Sequence, residues 1–136
     1  LEITAALPGV DVSAINLDVI PGTFGTTSTS KERKEAMVRS MANADFLRAA
    51  GVDVIEVFHQ DEPFDYLATL RERLPAGAVL AISPRNDLRK PAKMEWMDQA
   101  YARLIDGWPV VPKTHILGST TGPMIQRYPA YSADSS

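Results

Sequence analysis

Hydrophobic and polar residues follow one another along this chain in a repeating order. Five short apolar runs each end in polar or charged residues, and segments with helical periodicity lie between them. The runs lie at 14–22, 53–63, 78–87, 111–119 and 130–136. This is the spacing of successive β–α units, so we predict parallel strands joined by helices.

The predicted fold class is therefore α/β, with residues 1–136 forming a single domain. Five strands are too few for an eight-stranded barrel, which needs roughly 250 residues. Because the chain starts at Leu1 and stops at Ser136 directly after a strand-like run, we expect a fragment. It would be the C-terminal five or so strands of a TIM-type barrel; the alternative is a small open parallel sheet.

Four helices are expected between the strands. The first would run from Ser30, as its N-cap, to about Ala50, with Gly51 ending it. The others would start at Pro63, at Met94 and at Thr120 or Thr121. The first helix is expected to bury one stripe of residues: Ala36, Met37, Ser40, Met41, Ala44, Phe46 and Leu47.

Composition narrows the classes of function. With 14 Lys+Arg against 17 Asp+Glu, the net charge of −3 gives no overall attraction to nucleic acid, although a local basic patch is still allowed. The absence of cysteine excludes disulfides and cysteine-ligated metals within these residues. No apolar stretch reaches the roughly 20 residues of a membrane span and no signal-peptide pattern is present, so we expect a cytoplasmic protein without a membrane partner.

Polar side chains recur where the predicted strands end. The carboxyl ends of parallel strands meet at one edge, where barrels and open α/β sheets bind ligands. The residues expected at this edge are Asp18, His59, Glu62, Arg85, His115 and Asp134. The chain is therefore typical of an enzyme.

Asp134 and the segment His59–Glu62 are the strongest candidates. A carboxylate among small residues, like Asp134, can act as a nucleophile, metal ligand or general base, or it can cap the turn that leaves the strand. His59, Gln60, Asp61 and Glu62 can form a hydrogen-bonding floor for a planar ligand. Alternatively they form a solvated loop that caps the next helix.

Three further sets of residues support weaker hypotheses about binding. Asp18, the two histidines and Asp134 could hold a divalent ion, but they lack H-x-H or H-E-x-x-H spacing. The turn at 117–122, with Gly118, could cradle a phosphate or carbonyl at a helix start, although it lacks the lysine of a P-loop. A basic set could contact a polyanion or simply be solvated: Arg85, Arg89, Lys90 and Lys93.

The order of these segments resembles a known family. The segments are INLDVIPG with the helix KERKEAMVRSMANADFLRAAGV, VFHQDEPFDYLATLRERL, THILGSTTGPMIQRYP and AYSADSS. They are similar to the catalytic barrel of tRNA-guanine transglycosylases. They are more similar to the short, phage-encoded transglycosylase-like proteins associated with 7-deazaguanine modification of DNA. The resemblance covers about residues 14–136.

The resemblance implies a base-exchange reaction in DNA or tRNA, with no cofactor, in the cytoplasm, including that of a phage-infected bacterium. Asp134 falls at the family's nucleophile, and Asp18 and Gln60 at residues that bind the heterocycle. His59, His115 and Gly118 would line the pocket. Glu62, from its place at the strand exit, is a further candidate for substrate binding. The partners implied are nucleic acid and a 7-deazaguanine base.

The sequence also departs from the family. It has no counterpart of the general-base aspartate in a D-S-G-G/A-F segment, none of the Cys/His zinc site, and SPRND at 83–87 in place of a glycine pair. Either the start of the barrel lies outside this chain, or the chain lacks full activity. The alternatives are a metal-dependent hydrolase and a non-catalytic interaction module, and an open sheet edge would favour a homo-oligomer.

Overall fold

Strands and helices alternate along the protein, as the sequence predicts. The structure, a computed structural model, describes residues 13–16, 29–85, 89–106, 110–118 and 122–134. Its strands are β1 (Ala14–Ile15), β2 (Val54–His59), β3 (Val79–Ser83), β4 (Lys113–Ile116) and β5 (Ser132–Ala133). Its helices are α1 (Ser30–Ala49), α2 (Phe64–Arg73), α3 (Lys90–Ile105) and α4 (Gly122–Arg127).

All pairings between these strands are parallel, which confirms the α/β fold class. The chain divides into two compact units, the first ending at Glu56 and the second beginning at Val57. In the first unit, β1 pairs with the start of β2, with Ala14 opposite Val54. Asp18, Thr120 and Thr121 lie outside the described residues, and so do the predictions made for them.

Helix α1 begins one residue earlier than the sequence predicts. Thr29, not Ser30, is the N-cap: its backbone is extended, and its side-chain oxygen accepts the Glu32 N–H at 3.1 Å. The Thr29 hydroxyl also lies 3.1 Å from the Glu32 carboxylate, to which it donates. At the other end, Gly51 has a φ of 89°, the left-handed conformation expected of a helix-ending glycine.

The buried face of α1 is made of small side chains. Ala36, Ser40 and Ala44 are buried, and Ala44 packs in a cluster with Val52 and Val54. Phe46 is 71% exposed, so its predicted place in the buried stripe is wrong. The reason is geometric: two residues along a helix correspond to about 200°, so Phe46 cannot share the face of Ala44.

A buried ion pair joins α1 to β2 within the first unit. Glu56 is 1% exposed, and Arg48 from the end of α1 donates to its carboxylate at 2.9 Å. Arg48 also donates to the Val54 carbonyl at 3.4 Å. A buried carboxylate is costly unless it is paired, so this contact fixes the end of α1 against the strand.

In the second unit the strands follow the order of the chain. The Gln60 N–H donates to the Ser83 carbonyl at 3.1 Å, which joins the ends of β2 and β3. Next along the sheet, Ile82 of β3 pairs with Ile116 of β4. His115 of β4 then pairs with Ser132 of β5. The ends of four parallel strands therefore lie at one edge.

Helices α2 and α3 cover one face of these strands. Phe58 of β2 contacts the rings of Phe64, Tyr66 and Trp96, stacking on Trp96 at a centroid distance of 5.7 Å. Thr114 of β4 is buried on the same face. Because side chains alternate across a strand, His115 lies on the opposite face.

Helix α3 starts at Lys90, four residues before the expected Met94, and ends at Ile105. Pro91 lies in its first turn, where the missing N–H of proline costs nothing. Lys90 and Lys93 are therefore part of a helix rather than of a basic loop. This changes where their charges lie, because they occupy the first turn of α3.

A polar network links α3 to α4 and β4. The hydroxyls of Tyr101 and Thr114 are 2.7 Å apart, and the Tyr101 ring stacks on Tyr128 at 4.9 Å. The Tyr128 hydroxyl donates to Asp98 at 2.8 Å, and Arg127 donates to both oxygens of the same carboxylate at 2.8 and 2.7 Å. Arg127 and then Tyr128 lower the pKa of Asp98 to about 2, while burial raises the pKa of Tyr101.

The Tyr101–Thr114 hydrogen bond is expected to stabilise the second unit. Tyr101→Phe and Thr114→Val should each lower the free energy of unfolding by about 1–3 kcal/mol, because each leaves a buried partner unsatisfied. The double variant should lose less than the sum of the two. Urea unfolding of the four proteins measures this coupling.

Tyr131→Phe is the matched control, since Tyr131 is exposed. Its loss of a hydroxyl should change the free energy of unfolding by less than about 0.5 kcal/mol. Strictly additive losses for Tyr101→Phe and Thr114→Val would contradict the proposed contribution of the pair.

Candidate functional site

Polar residues at the carboxyl edge of the second unit fall into two groups. One follows β4 and β5 and contains His115, Gly118 and Asp134; the other follows β2 and β3 and contains His59, Gln60, Glu62 and Arg85. Three strand spacings of about 4.8 Å separate the end of β2 from that of β5, or about 14 Å along the sheet. The structure therefore places both groups at one edge, as predicted, but as neighbours rather than as one cluster.

Asp134 accepts a hydrogen bond on each carboxylate oxygen. The Gly118 N–H donates to Oδ1 at 2.7 Å, and His115 Nε2 lies 3.1 Å from Oδ2. Gly118 has a φ of 70°, a conformation that glycine adopts without strain. The Asp134 side chain remains 52% exposed. The carboxylate is thus held by the turn after β4 and is still accessible.

These contacts keep Asp134 ionised. The Gly118 N–H, and secondly His115, lower the pKa of the Asp134 carboxyl below its usual value of 3.8. Hydrogen bonds to the charged form favour that form. An aspartate is already a carboxylate at neutral pH, so these contacts extend the ionised form to lower pH. The carboxylate is the state that a nucleophile or an electrostatic stabiliser requires.

Ser132 completes a chain of three side chains. Its hydroxyl oxygen lies 2.6 Å from His115 Nδ1, and the other ring nitrogen of His115 faces Asp134. An ionised carboxylate only accepts, so in a neutral imidazole the proton must be on Nε2. Nδ1 then accepts the hydrogen bond of the Ser132 hydroxyl. Asp134 therefore selects the tautomer, and the Ser132 hydroxyl, which can donate or accept, adapts to it.

The register of β5 against β4 brings these side chains together. His115 pairs with Ser132, and Asp134 lies two residues beyond Ser132, so both point to the face of His115. The Asp134 N–H donates to the Ile116 carbonyl at 3.0 Å, and the Tyr131 N–H donates to the Thr114 carbonyl at 2.8 Å. These backbone bonds extend the pairing on both sides of the two-residue strand β5.

The second group is built as two linked turns. Glu62 accepts the His59 N–H on its carboxylate at 2.7 Å, and its own N–H donates to the His59 carbonyl at 3.0 Å. The side-chain oxygen of Gln60 accepts the Arg85 N–H at 2.8 Å. Arg85 also lies 3.3 Å from Asp61, an ion pair on the surface. Glu62 and Gln60 therefore shape the exits of β2 and β3.

The basic residues surround the start of α3. Arg85 follows β3, Arg89 is the N-cap of α3 without a side-chain capping bond, and Lys90 and Lys93 lie in the first turn. That turn carries no acidic residue. Cations at a helix N-terminus oppose the helix dipole, so these side chains do not stabilise α3. Arg85, the fourth basic residue, is paired with Asp61.

The metal hypothesis gains no support from the described residues. Within 13–16, 29–85, 89–106, 110–118 and 122–134, no three His, Cys, Asp or Glu side chains come close enough to hold an ion. Asp18, the fourth ligand of that hypothesis, lies outside these ranges. No helix within the described parts of the chain is long and apolar enough to cross a membrane.

Two contributors were not singled out from the sequence. Ser132 was grouped with its strand, although its position two residues before Asp134 is a pattern that places both on one face. Asp61 was noted only as part of a polar run, and its pairing with Arg85 depends on the neighbouring strand. Local patterns give the face of a residue; they do not give its partner on another strand.

No family model, curated protein or solved structure matches this chain.

The tautomer of His115 can be measured directly. Nitrogen-15 NMR of the imidazole at alkaline pH should show the proton on Nε2. In Asp134→Ala the Nδ1 tautomer should become measurably populated, because the carboxylate that requires a proton on Nε2 is gone. The chain has two histidines, so His59→Gln assigns the signals. An Nδ1-protonated imidazole in the unaltered protein would contradict the assignment.

Acid titration tests the contacts of Asp134. The carboxyl carbon should titrate below 3.8, and His115→Leu should raise its pKa towards the usual value. Because the folded pKa is lowered, the stabilisation from Asp134 is full above the unfolded pKa and is lost as pH falls through the folded one. His115→Leu should therefore reduce the dependence of stability on pH below about 4. Asp106→Asn is the control and should leave the titration of Asp134 unchanged.

Proposed function

We propose that this protein is a transglycosylase-like enzyme that replaces a guanine-type base in nucleic acid by a 7-deazaguanine derivative. The observation that carries the proposal is the exposed, ionised Asp134, held by Gly118 and His115 at a strand carboxyl end. The order of segments, which resembles that of tRNA-guanine transglycosylases, supports the same role. Asp134 is the nucleophile of the proposed reaction.

The reaction balances in two steps. A carboxylate oxygen of Asp134 bonds to the sugar carbon C1′ while the bond from C1′ to guanine N9 breaks, and guanine leaves with that electron pair and takes up a proton. N9 of the incoming base then loses a proton and bonds to C1′, and the bond from C1′ to Asp134 breaks. Such trapping of an oxocarbenium-like centre by a carboxylate is the chemistry of retaining glycosidases.

His115 contributes to both steps of the proposed reaction. Its Nε2–H stabilises the carboxylate that attacks, and it stabilises the same carboxylate when it is the leaving group. Ser132 orients the ring through its contact with Nδ1. Asp134 with His115 is therefore the part of the site that acts on the sugar.

The second group and the basic residues are suited to the rest of the substrate. Gln60 and His59 lie at the β2 exit, where the family binds its heterocycle. Arg85, Arg89, Lys90 and Lys93 provide cations for phosphate oxygens near the start of α3. Base exchange requires the target base to leave its stack, so contacts with the backbone on either side are needed to hold the strand.

A serine hydrolase is the second candidate, because Ser132, His115 and Asp134 form a hydrogen-bonded series. The way in which the three side chains contact one another argues against a serine hydrolase. Here Ser132 contacts Nδ1 and Asp134 contacts Nε2, whereas in a Ser-His-Asp triad the serine contacts Nε2 and the aspartate Nδ1. A fluorophosphonate that labels Ser132 would favour the hydrolase, whereas transglycosylation predicts no labelling.

The decisive test is a covalent adduct. Protein incubated with guanine-containing tRNA or duplex DNA, then denatured, should retain a protein–nucleic acid band that a 7-deazaguanine base releases. Asp134→Asn should abolish the band, because an amide is a far weaker nucleophile. Ser132→Ala should keep the band at a lower rate of formation.

Asp106→Asn is the matched control. Asp106 is an exposed aspartate at the end of α3, and α3 runs from the exit of β3 back towards the start of β4, away from the site. It should give the full adduct. The same yield of adduct in Asp134→Asn, or none from the unaltered protein on either nucleic acid, would overturn the proposal.

A further inference from the structure

Strand β5, which carries the site residue Asp134 at its end, is very short. It consists of Ser132 and Ala133, and the backbone bonds of Tyr131 and Asp134 to β4 flank it. A ladder of this length resists slipping only weakly, and a slip of one residue would turn Asp134 to the other face of the sheet. We therefore looked for contacts outside the strand that set its position.

The segment just before β5 makes such contacts with α3. Tyr128 follows Arg127, the last residue of α4, and is buried. Its hydroxyl oxygen lies 2.8 Å from the Asp98 carboxylate and 2.9 Å from the Met94 carbonyl, both on α3. The Tyr128 carbonyl accepts the Ala130 N–H at 2.8 Å, which makes a tight turn towards the strand. The chain therefore enters β5 from a residue that is bound to α3.

Asp98 is the acceptor at the centre of these contacts. Arg127 donates to both of its oxygens, at 2.8 and 2.7 Å, and the Tyr128 hydroxyl shares one of them. An exposed ion pair usually contributes little, but a bidentate arginine–carboxylate contact within a network is an exception. Such a contact fixes direction as well as distance. Arg127, and secondly Tyr128, lower the pKa of Asp98 to about 2, so the contact remains charged at neutral pH.

We propose that Asp98 is a positioning residue for Asp134. It holds Arg127 and Tyr128, and through them the start of β5, in the register that brings Asp134 to its two hydrogen-bond donors. Because α3 covers the other face of the sheet, Asp98 can be changed without altering the side chains around Asp134. The consequence for base exchange rests on the proposed function, whereas the effect on the position of Asp134 does not.

The tautomer of His115 reports where Asp134 lies. While the carboxylate faces Nε2, the proton of the neutral ring is on Nε2. In Asp98→Ala, nitrogen-15 NMR at alkaline pH should show a measurable population of the Nδ1 tautomer, as in Asp134→Ala, because the carboxylate no longer faces the ring. Arg127→Met should do the same, since it removes the bidentate contact. A ring that keeps its proton on Nε2 in both variants would overturn the proposal.

Tyr101→Phe is the matched control for lost stability. It removes the hydrogen bond to Thr114 and should destabilise the same unit, yet it keeps the ring that stacks on Tyr128 and leaves the contacts of Asp98 in place. The proton should therefore stay on Nε2 of the imidazole. A tautomer shift as large as that in Asp98→Ala would show that general loosening moves Asp134, and it would reject the specific role of Asp98. Circular dichroism checks that each variant is folded.

The rate of adduct formation gives the second readout. A misplacement of about 1 Å can cost about a hundredfold in rate. At saturating tRNA or duplex DNA, Asp98→Ala should therefore form the covalent adduct at least about tenfold more slowly than the unaltered protein, and Tyr101→Phe at the unaltered rate. An unaltered rate in Asp98→Ala would overturn its role in the reaction. If the unaltered protein forms no adduct, the proposed function fails, and the tautomer of His115 still decides the role of Asp98.

Discussion

The candidate site depends on the register of β5 against β4. Strand β5 has two residues, and its pairing sets which side chains face His115. A slip of one residue would turn Ser132 and Asp134 to the face covered by helices, because side chains alternate across a strand. Backbone bonds from Tyr131 and Asp134 to β4 oppose such a slip. So does the network of Tyr128 and Arg127, which fixes the chain just before β5 to α3. Packing on the face of the sheet that the helices cover thus determines which side chains meet on the open face.

Within the site, one set of contacts explains both protonation and orientation. The Gly118 N–H belongs to the backbone and keeps its position whatever the protonation state of its neighbours. His115 donates only in the Nε2 tautomer, which the acceptor-only carboxylate of Asp134 selects. Two donors therefore favour the ionised form of Asp134. The Gly118 N–H is fixed in position, and His115 donates only in one tautomer. The contacts from Ser132 through His115 to Asp134 include no buried charge. This agrees with the exposure of the site, whose neighbouring side chains are mostly small.

The sequence was informative where a local pattern determines structure. Apolar runs and helical spacing predict the strands, helices and parallel order, because these depend on residues close together in the chain. The stripe assigned to α1 included Phe46 wrongly, since a count of apolar residues favours large side chains whereas α1 packs on Ala36, Ser40 and Ala44. The Arg48–Glu56 pair and the His115–Asp134 contact were not predictable. Each joins different elements, and its partner is determined by register and packing. Gln60 and Glu62 were rightly expected at a strand exit. Glu62 bonds within its own turn to His59, whereas the partner of Gln60, Arg85, follows the neighbouring strand.

The contacts that keep Asp134 ionised also lower its nucleophilicity, because each hydrogen bond withdraws charge from an oxygen. For a reaction that both makes and breaks a bond to the carboxylate, this is a compromise rather than a defect. A more basic carboxylate would attack C1′ faster but would leave more slowly, and the intermediate would accumulate. Since each oxygen has two lone pairs, one hydrogen bond leaves a second direction open for the sugar carbon. The half-exposed side chain is consistent with that approach. An Asp134 held by one backbone and one imidazole donor therefore suits the proposed transfer, a reversible reaction that would return Asp134 to its starting state after each exchange.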